Sequence, residues 1–246
     1  MSNTSEGKST SRKKRVALLV AAVLLLWAAV AYLVMPDAWK WYVGRHPSLE
    51  DIPDITHTAS GIPGDPLNAG LIGTETEVKK ILLAAQWYPA DPLTLRSCLE
   101  IAEATVLKRT YDDAPVSNLF LFGRKEDLAF EQPVGDNPRK RHHVRFWRTE
   151  KTDPDGRPLW IGSATYDERV GLSHTTGQVT HHIAADVDAE RDHLFDCLKE
   201  TKDLAEVYAV DDFHKTRQGR NGGGDPWHTD GRLLVGVVAE AKGVGS

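Results

Sequence analysis

From Val16 to Met35 the chain runs for twenty residues without a charge or a proline. At 1.5 Å of rise per residue a helix of that length covers roughly 30 Å, one hydrocarbon core, so the run predicts a transmembrane helix over 16–35. Residues 36–62 hold Pro36, Pro47 and Pro53 with scattered glycines and show no period of 2 or 3.6, which predicts a tether. Periodicity starts at Thr74. Thr74 and Glu77 have the spacing of a capping box, and Val78, Ile81, Leu82 and Ala85 make one apolar stripe, a helix over 74–86. Asp91 followed by Pro92 reads as a second helix start, with Leu95, Cys98, Leu99, Ala102 and Val106 at helical spacing behind it. After Ala114-Pro115 the texture changes to short β-rich runs at 116–122, 141–148, 159–166 and 179–183. Asp188 is expected to cap a third helix through Lys199, with Leu194, Cys197 and Leu198 inward. Runs at 205–210 and 232–239 then flank a loop containing Gly219, Gly222, Gly223 and Gly224. Helices, strands, helix, strands is not the alternation of a doubly wound fold. It predicts α+β, a mostly antiparallel sheet with about three helices over 63–240, preceded by the transmembrane helix and followed by a short tail at 241–246.

Charge adds an orientation. The chain carries 30 Lys and Arg against 35 Asp and Glu; Lys8, Arg12, Lys13, Lys14, Arg15 and the single acid Glu6 precede the apolar run, which leaves 25 against 34 for residues 36–246. The basic segment 1–15 therefore abuts the helix, and the positive-inside bias puts it in the cytoplasm, with the main domain outside and the helix in the inner (cytoplasmic) membrane. Trp39, Trp41 and Tyr42 suit the headgroup region beyond. The alternative is a cleaved signal peptide, because Ala29-Val30-Ala31 has the small-x-small form, but the apolar run exceeds the roughly 7 to 15 residues of a signal h-region. A single spanning segment excludes a polytopic transporter, and 41% apolar with 26% charged excludes a disordered or collagenous chain. An acidic outer part argues against nucleic acid as a partner. Cys98 and Cys197, the two cysteines, could close a long loop in an oxidising compartment; two buried thiols are the favoured expectation.

One stretch inverts the local sign. Arg139, Lys140, Arg141, His142, His143, Arg145 and Arg148 bring five cations and two histidines together with no acid among them. On a strand, Arg141, His143, Arg145 and Trp147 share one face and His142, Val144 and Phe146 the other. The second face reads as core, with His142 a satisfied core histidine. The first reads either as a site where paired guanidinium groups hold a phosphate or carboxylate, or as a solvated basic edge strand. Thr180, His181, His182 and Arg191 complete the candidate ligand-binding residues, although a strand sends His181 and His182 to opposite faces. Asp186 and Asp188 could serve a divalent metal, but they stand where a helix start uses acids for capping and for its dipole. There is no His-Glu-x-x-His or Cys-x-x-Cys spacing, no P-loop lysine and no Gly-x-Ser-x-Gly turn. No catalytic residue is assigned from the sequence, and no cofactor is expected.

Several ordered motifs carry a resemblance. Gly64-Asp65-Pro66-Leu67-Asn68, Gln86-Trp87, Ala90-Asp91-Pro92-Leu93-Thr94, Ala114-Pro115-Val116-Ser117, Gly123-Arg124-Lys125-Glu126-Asp127-Leu128-Ala129-Phe130, Arg141-His142-His143-Val144-Arg145-Phe146-Trp147, Trp160 with Ala164-Thr165-Tyr166-Asp167, Thr180-His181-His182-Ile183 and Asp186-Val187-Asp188-Ala189-Glu190-Arg191-Asp192 together resemble the LssY C-terminal domain family. The resemblance runs from about 60 to 240. That family is named after a proposed type I secretion component, has no established activity and is often joined to polytopic membrane domains, including type 2 phosphatidic-acid phosphatases. The phosphatase triplets are absent here, so the resemblance implies a membrane-associated domain and transfers no catalytic residue. The leading expectation is a membrane-tethered module that binds an anionic group of lipid or cell envelope. The alternatives are a His/Arg-dependent hydrolase of a phosphoryl or acyl substrate, and an assembly subunit of a secretion or envelope complex whose basic strand pairs with a partner's acidic edge.

Overall fold

The computed structural model describes residues 6–90, 118–135, 140–175, 177 and 179–240. It divides into two compact units, one ending at Pro47 and one beginning at Ser48. The first is helical: α1 (Glu6–Ala29), a π turn (Val30–Val34) and α2 (Met35–Arg45). Pro36 accounts for the π turn, since its ring crowds the carbonyl one turn back and its nitrogen has no hydrogen to donate; the Met35 amide reaches Val30 O instead. The stretch Lys14–Arg45 is long and apolar enough to cross a membrane, and Leu18, Leu25, Trp27 and Leu33 along it are exposed. The helix therefore does not stop at Met35 as the proline suggests.

The tether expected over 36–62 is for the most part built into structure. Beyond α2, Leu49 and Ile52 are buried, and β1 (Ile55–Thr58) pairs with β2 (Pro63–Pro66) and β5 (Leu119–Phe120) in a three-stranded sheet. Proline and glycine hide these elements from a periodicity reading because they lower strand propensity without forbidding an edge strand.

The second unit is organised by an eight-stranded sheet. Its strands are β3 (Ala69–Ile72), β4 (Tyr88–Pro89), β6 (Leu128–Pro133), β7 (Arg141–Thr152), β8 (Pro158–Leu172), β9 (Val179–Ile183), β10 (Leu204–Val210) and β13 (Leu233–Val238). They run β10-β13-β3-β8-β7-β6-β4, with β9 beside the far half of β8. All pairs are antiparallel except β13 with β3. The fold is thus α+β, as the element order predicts. A small hairpin, β11 (Gln218–Arg220) with β12 (Pro226–His228), lies outside this sheet.

One sheet face is apolar and carries both helices. The helix α3 (Glu75–Ala84) begins at the predicted capping box of Thr74 and Glu77, and α4 (Val187–Glu200) is capped by Asp186, two residues before the expected Asp188. Val78, Ile81, Leu82, Leu194, Phe195 and Leu198 from these helices pack on Leu71, Phe130, Val144, Phe146 and Trp160. Phe146 fits because position 162 is glycine: a Cβ there would stand 2.5 Å from the Phe146 ring. Truncating a side chain buried this completely costs about 3–5 kcal/mol. The helix expected after Asp91, with Cys98, lies outside the described residues.

The opposite face is apolar at one end, where Leu49, Ile52, Leu67, Trp147, Leu159, Ile161 and Val235 form a second core. At the other end it is polar. Because β7 from Arg141 to Phe146 is paired on both sides, by β6 and β8, this part of the basic strand is central and has no free edge.

Candidate functional site

The polar end is a lattice of side chains set by strand register. On β7, Arg141, His143 and Arg145 stand opposite Asp167, Thr165 and Ser163 of β8 and opposite Pro133, Glu131 and Ala129 of β6. All six residues of the β7 and β8 rows are buried. The expected grouping of Arg141, His143 and Arg145 on one face holds, and Val144 and Phe146 occupy the other, fully buried. What the local sequence could not show is the acids. Asp65, Glu126, Glu131, Asp167 and Asp225 reach this region from five separate segments, so the positive charge of the strand is answered from within the fold.

Arg141 is fully committed. Its Nε donates to Asp167 Oδ2 at 3.1 Å, Nη1 to Glu131 Oε2 at 2.8 Å, and Nη2 lies 3.3 Å from His181 Nε2. His181 Nδ1 stands 3.2 Å from Asp167 Oδ2. Burial alone would raise the Asp167 carboxyl, but the neighbouring His181, His143 and Arg141 side chains outweigh it and hold it below the ordinary range. Glu131 goes the other way: its burial exceeds the pull of Arg141 and raises it.

Arg145 is buried without comparable bonds. Its Nη1 is 3.9 Å from Asp65 Oδ2 and its Nε 3.8 Å from Glu126 Oε1, beyond hydrogen-bond reach. Among the described residues, Arg145 Nε, Ser163 Oγ and Glu126 Oε2 are all buried with no hydrogen-bond partner. Native proteins pair such groups with protein, water or ligand, so these three leave hydrogen bonds unmade around Arg145. Asp65, which accepts from Asn221 Nδ2 at 3.0 Å, is raised by burial against the opposing pull of Arg145. His143 is held well below the ordinary histidine value, first by burial and then by the charge of Arg145. It is a neutral imidazole at physiological pH.

The remaining expected residues fall elsewhere. His142 shares the helix-covered face as predicted, half-buried, with Nδ1 2.7 Å from Glu190 Oε2 and its ring stacked on His193 at 3.9 Å. Arg191 does not join Arg145: it is 1% exposed and spends its donors on Asp192, Asp188, Asp230 and the Arg232 carbonyl, clamping the loop before β13 onto α4. Asp186 is the cap of α4, and Asp188 accepts from Arg191, Thr229 and the Asp230 amide, so the weaker metal alternative at these two acids meets side chains already in use. His182 turns to Asp225, its Nδ1 2.6 Å from Oδ1. Thr180 is buried beside it, its hydroxyl 3.4 Å from the His181 carbonyl. Cys197 is half-buried near His193 and Gln132.

Sequence reasoning missed Asp65, Glu126, Ser163, Asp167, Asn221 and Asp225. A signal for two of them was present: Ser163, Thr165 and Asp167 alternate along a strand whose other face is apolar, a polar stripe aimed at the sheet's second side. Asp65 and Asp225 sit in Gly/Pro-rich segments where no period operates.

The fold and this lattice define an α+β sheet domain with a buried arginine–histidine–carboxylate site, joined to an apolar N-terminal helix. The chain belongs to the LssY C-terminus family, whose model matches residues 49–233. No curated protein and no solved structure matches it.

Proposed function

We propose that this is a membrane-anchored binding domain whose Arg145 pocket takes an anionic group, phosphate or carboxylate, from a polar lipid or envelope molecule. The observation that carries the reading is the buried Arg145 Nε without a partner, together with the unpartnered Ser163 hydroxyl directly across the ladder. A guanidinium in that state gains bidentate hydrogen bonds from an incoming oxyanion without first breaking its own. The site residues narrow accordingly from the whole basic run to Arg145, His143 and Ser163, with Asp65 and Glu126 receiving donors of the same ligand. Arg141 and His181 hold the frame. The apolar helix anchors the domain, the basic residues before it keep the N-terminus in the cytoplasm, and the sheet domain lies outside. Purified full-length protein in detergent should show a higher melting temperature with phosphate or an anionic headgroup analogue than with chloride at equal ionic strength, and Arg145→Gln should remove the difference. An equal rise in Arg145→Gln would refute the pocket.

One observation favours a hydrolase as the second reading. A neutral buried His143 is a competent general base, Ser163 offers a hydroxyl with no other partner, and Arg145 could stabilise developing negative charge. Turnover of chromogenic phosphate or acyl esters that is lost in both Ser163→Ala and His143→Gln would select it. The third expectation, a basic edge strand pairing with another subunit, finds no free edge on β7 between Arg141 and Phe146.

A further inference from the structure

The loops beyond β8 and before β12 meet at one atom. The Gly223 carbonyl accepts from the His174 amide at 2.8 Å and from Ser173 Oγ at 3.4 Å. On the other side, Asn221 Oδ1 accepts from the Gly223 and Asp225 amides at 3.0 and 2.9 Å, and the Asn221 amide nitrogen bonds the Asp225 carbonyl at 2.9 Å. Gly224 turns with φ +86°, and a Cβ there would stand 2.8 Å from that of His174. This construction sets His174, His182 of β9 and Asp225 around one point: one ligand atom from each lies within 4.8 Å of the others. His182 and Asp225 are 2% and 4% exposed, whereas His174 is exposed.

We infer that His174, His182 and Asp225 form a binding site for a divalent first-row transition metal, distinct from the Arg145 pocket. Two imidazoles and one carboxylate suit zinc, manganese or iron(II) and disfavour calcium or magnesium, which prefer oxygen donors. His182 Nδ1 and Asp225 Oδ1 stand 2.6 Å apart, within hydrogen-bond distance. A metal ion takes the place of that hydrogen bond, the His182 imidazole binding as the neutral ring with its hydrogen on the nitrogen facing away from the ion, and the exposed His174 supplies the third donor. His182 Nε2 is buried without a hydrogen-bond partner among the described residues, so Asp225 alone holds the ring's polar edge. Three protein donors leave the ion a position for water or a ligand oxygen. The cluster takes His182 from the ligand-binding residues expected from the sequence, and shares no residue with the Arg145 pocket or with the Asp186 and Asp188 alternative.

The test uses full-length protein in detergent, stripped with chelator and titrated with zinc chloride alone and with cobalt(II) as a spectroscopic probe. One ion per chain should bind, the melting temperature should rise by about 5 °C or more at hundred-fold excess over Kd, and cobalt should give visible d–d absorption. His174→Ala, at an exposed position that the fold does not need, should weaken binding at least ten-fold, and Asp225→Asn should do the same. His193→Gln, in the other histidine cluster, should change nothing. Binding that survives His174→Ala, that moves with His193→Gln, or that is absent in the stripped wild type overturns the assignment.

Discussion

Arg141 and Arg145 lie on one face of one strand, four residues apart, and are buried to the same degree, yet they are in opposite states. Arg141 meets two carboxylates and a histidine within hydrogen-bond distance; Arg145 meets two carboxylates that stop just short of it. Burial of a cation is costly in either place, so the difference is one of completeness. A completed network is scaffold. An incomplete one of the same composition is where a ligand finds unmade bonds, and the two can be told apart by substituting each arginine in turn.

The largest effect is expected at the completed end. Arg141→Ala strands Glu131 and Asp167 and should cost about 3–5 kcal/mol in chemical denaturation. Next comes pH. The His143 imidazole is depressed in the fold, so its contribution is present above the ordinary value of about 6.5 and is lost as pH falls. Stability should decline below pH 6.5 by up to about 1.4 kcal/mol per pH unit for this one proton, and His143→Gln should flatten that part of the curve. Arg145→Gln should cost only about 1 kcal/mol, because few formed bonds are lost, while abolishing the response to phosphate. A cost equal to that of Arg141→Ala would erase the contrast. Asp65→Asn should be the mildest, within about 0.5 kcal/mol at pH 7, since the amide oxygen can still accept from Asn221. Asp65 is raised, so the stability tied to its proton is present at low pH and is lost as pH climbs through its folded value. The asparagine variant should lack that loss.

The two ends also differ in how far they can be read from the sequence. The strand that carries both arginines is evident from its period, as are α3 with its capping box, the long apolar helix and the α+β order, because each is encoded by neighbours within a few residues. The partners are not. Asp65 comes from a glycine- and proline-rich strand with no readable period, Glu126 from a turn, and Asp225 from a loop in which no spacing announces a carboxylate. Arg191 misled for the complementary reason: a cation beside three acids on a helix looks available in sequence, and only the fold brings Asp230 against it.

The parallel pairing of β13 with β3 sets an order of events in folding. Ala69 through Ile72 lie against Leu234 through Val237, so the strand that opens the main sheet waits for nearly the last residues of the domain before one of its edges is covered. Contacts of such long sequence separation form slowly, after the loop between them has closed. During synthesis the apolar edge of β3 and the whole of β10, which pairs only with β13, stay exposed until the chain has emerged almost to Val238. Nascent chains of this domain should therefore depend on holdase chaperones until a late point, and deletion of the final strand should yield aggregation rather than a smaller folded core.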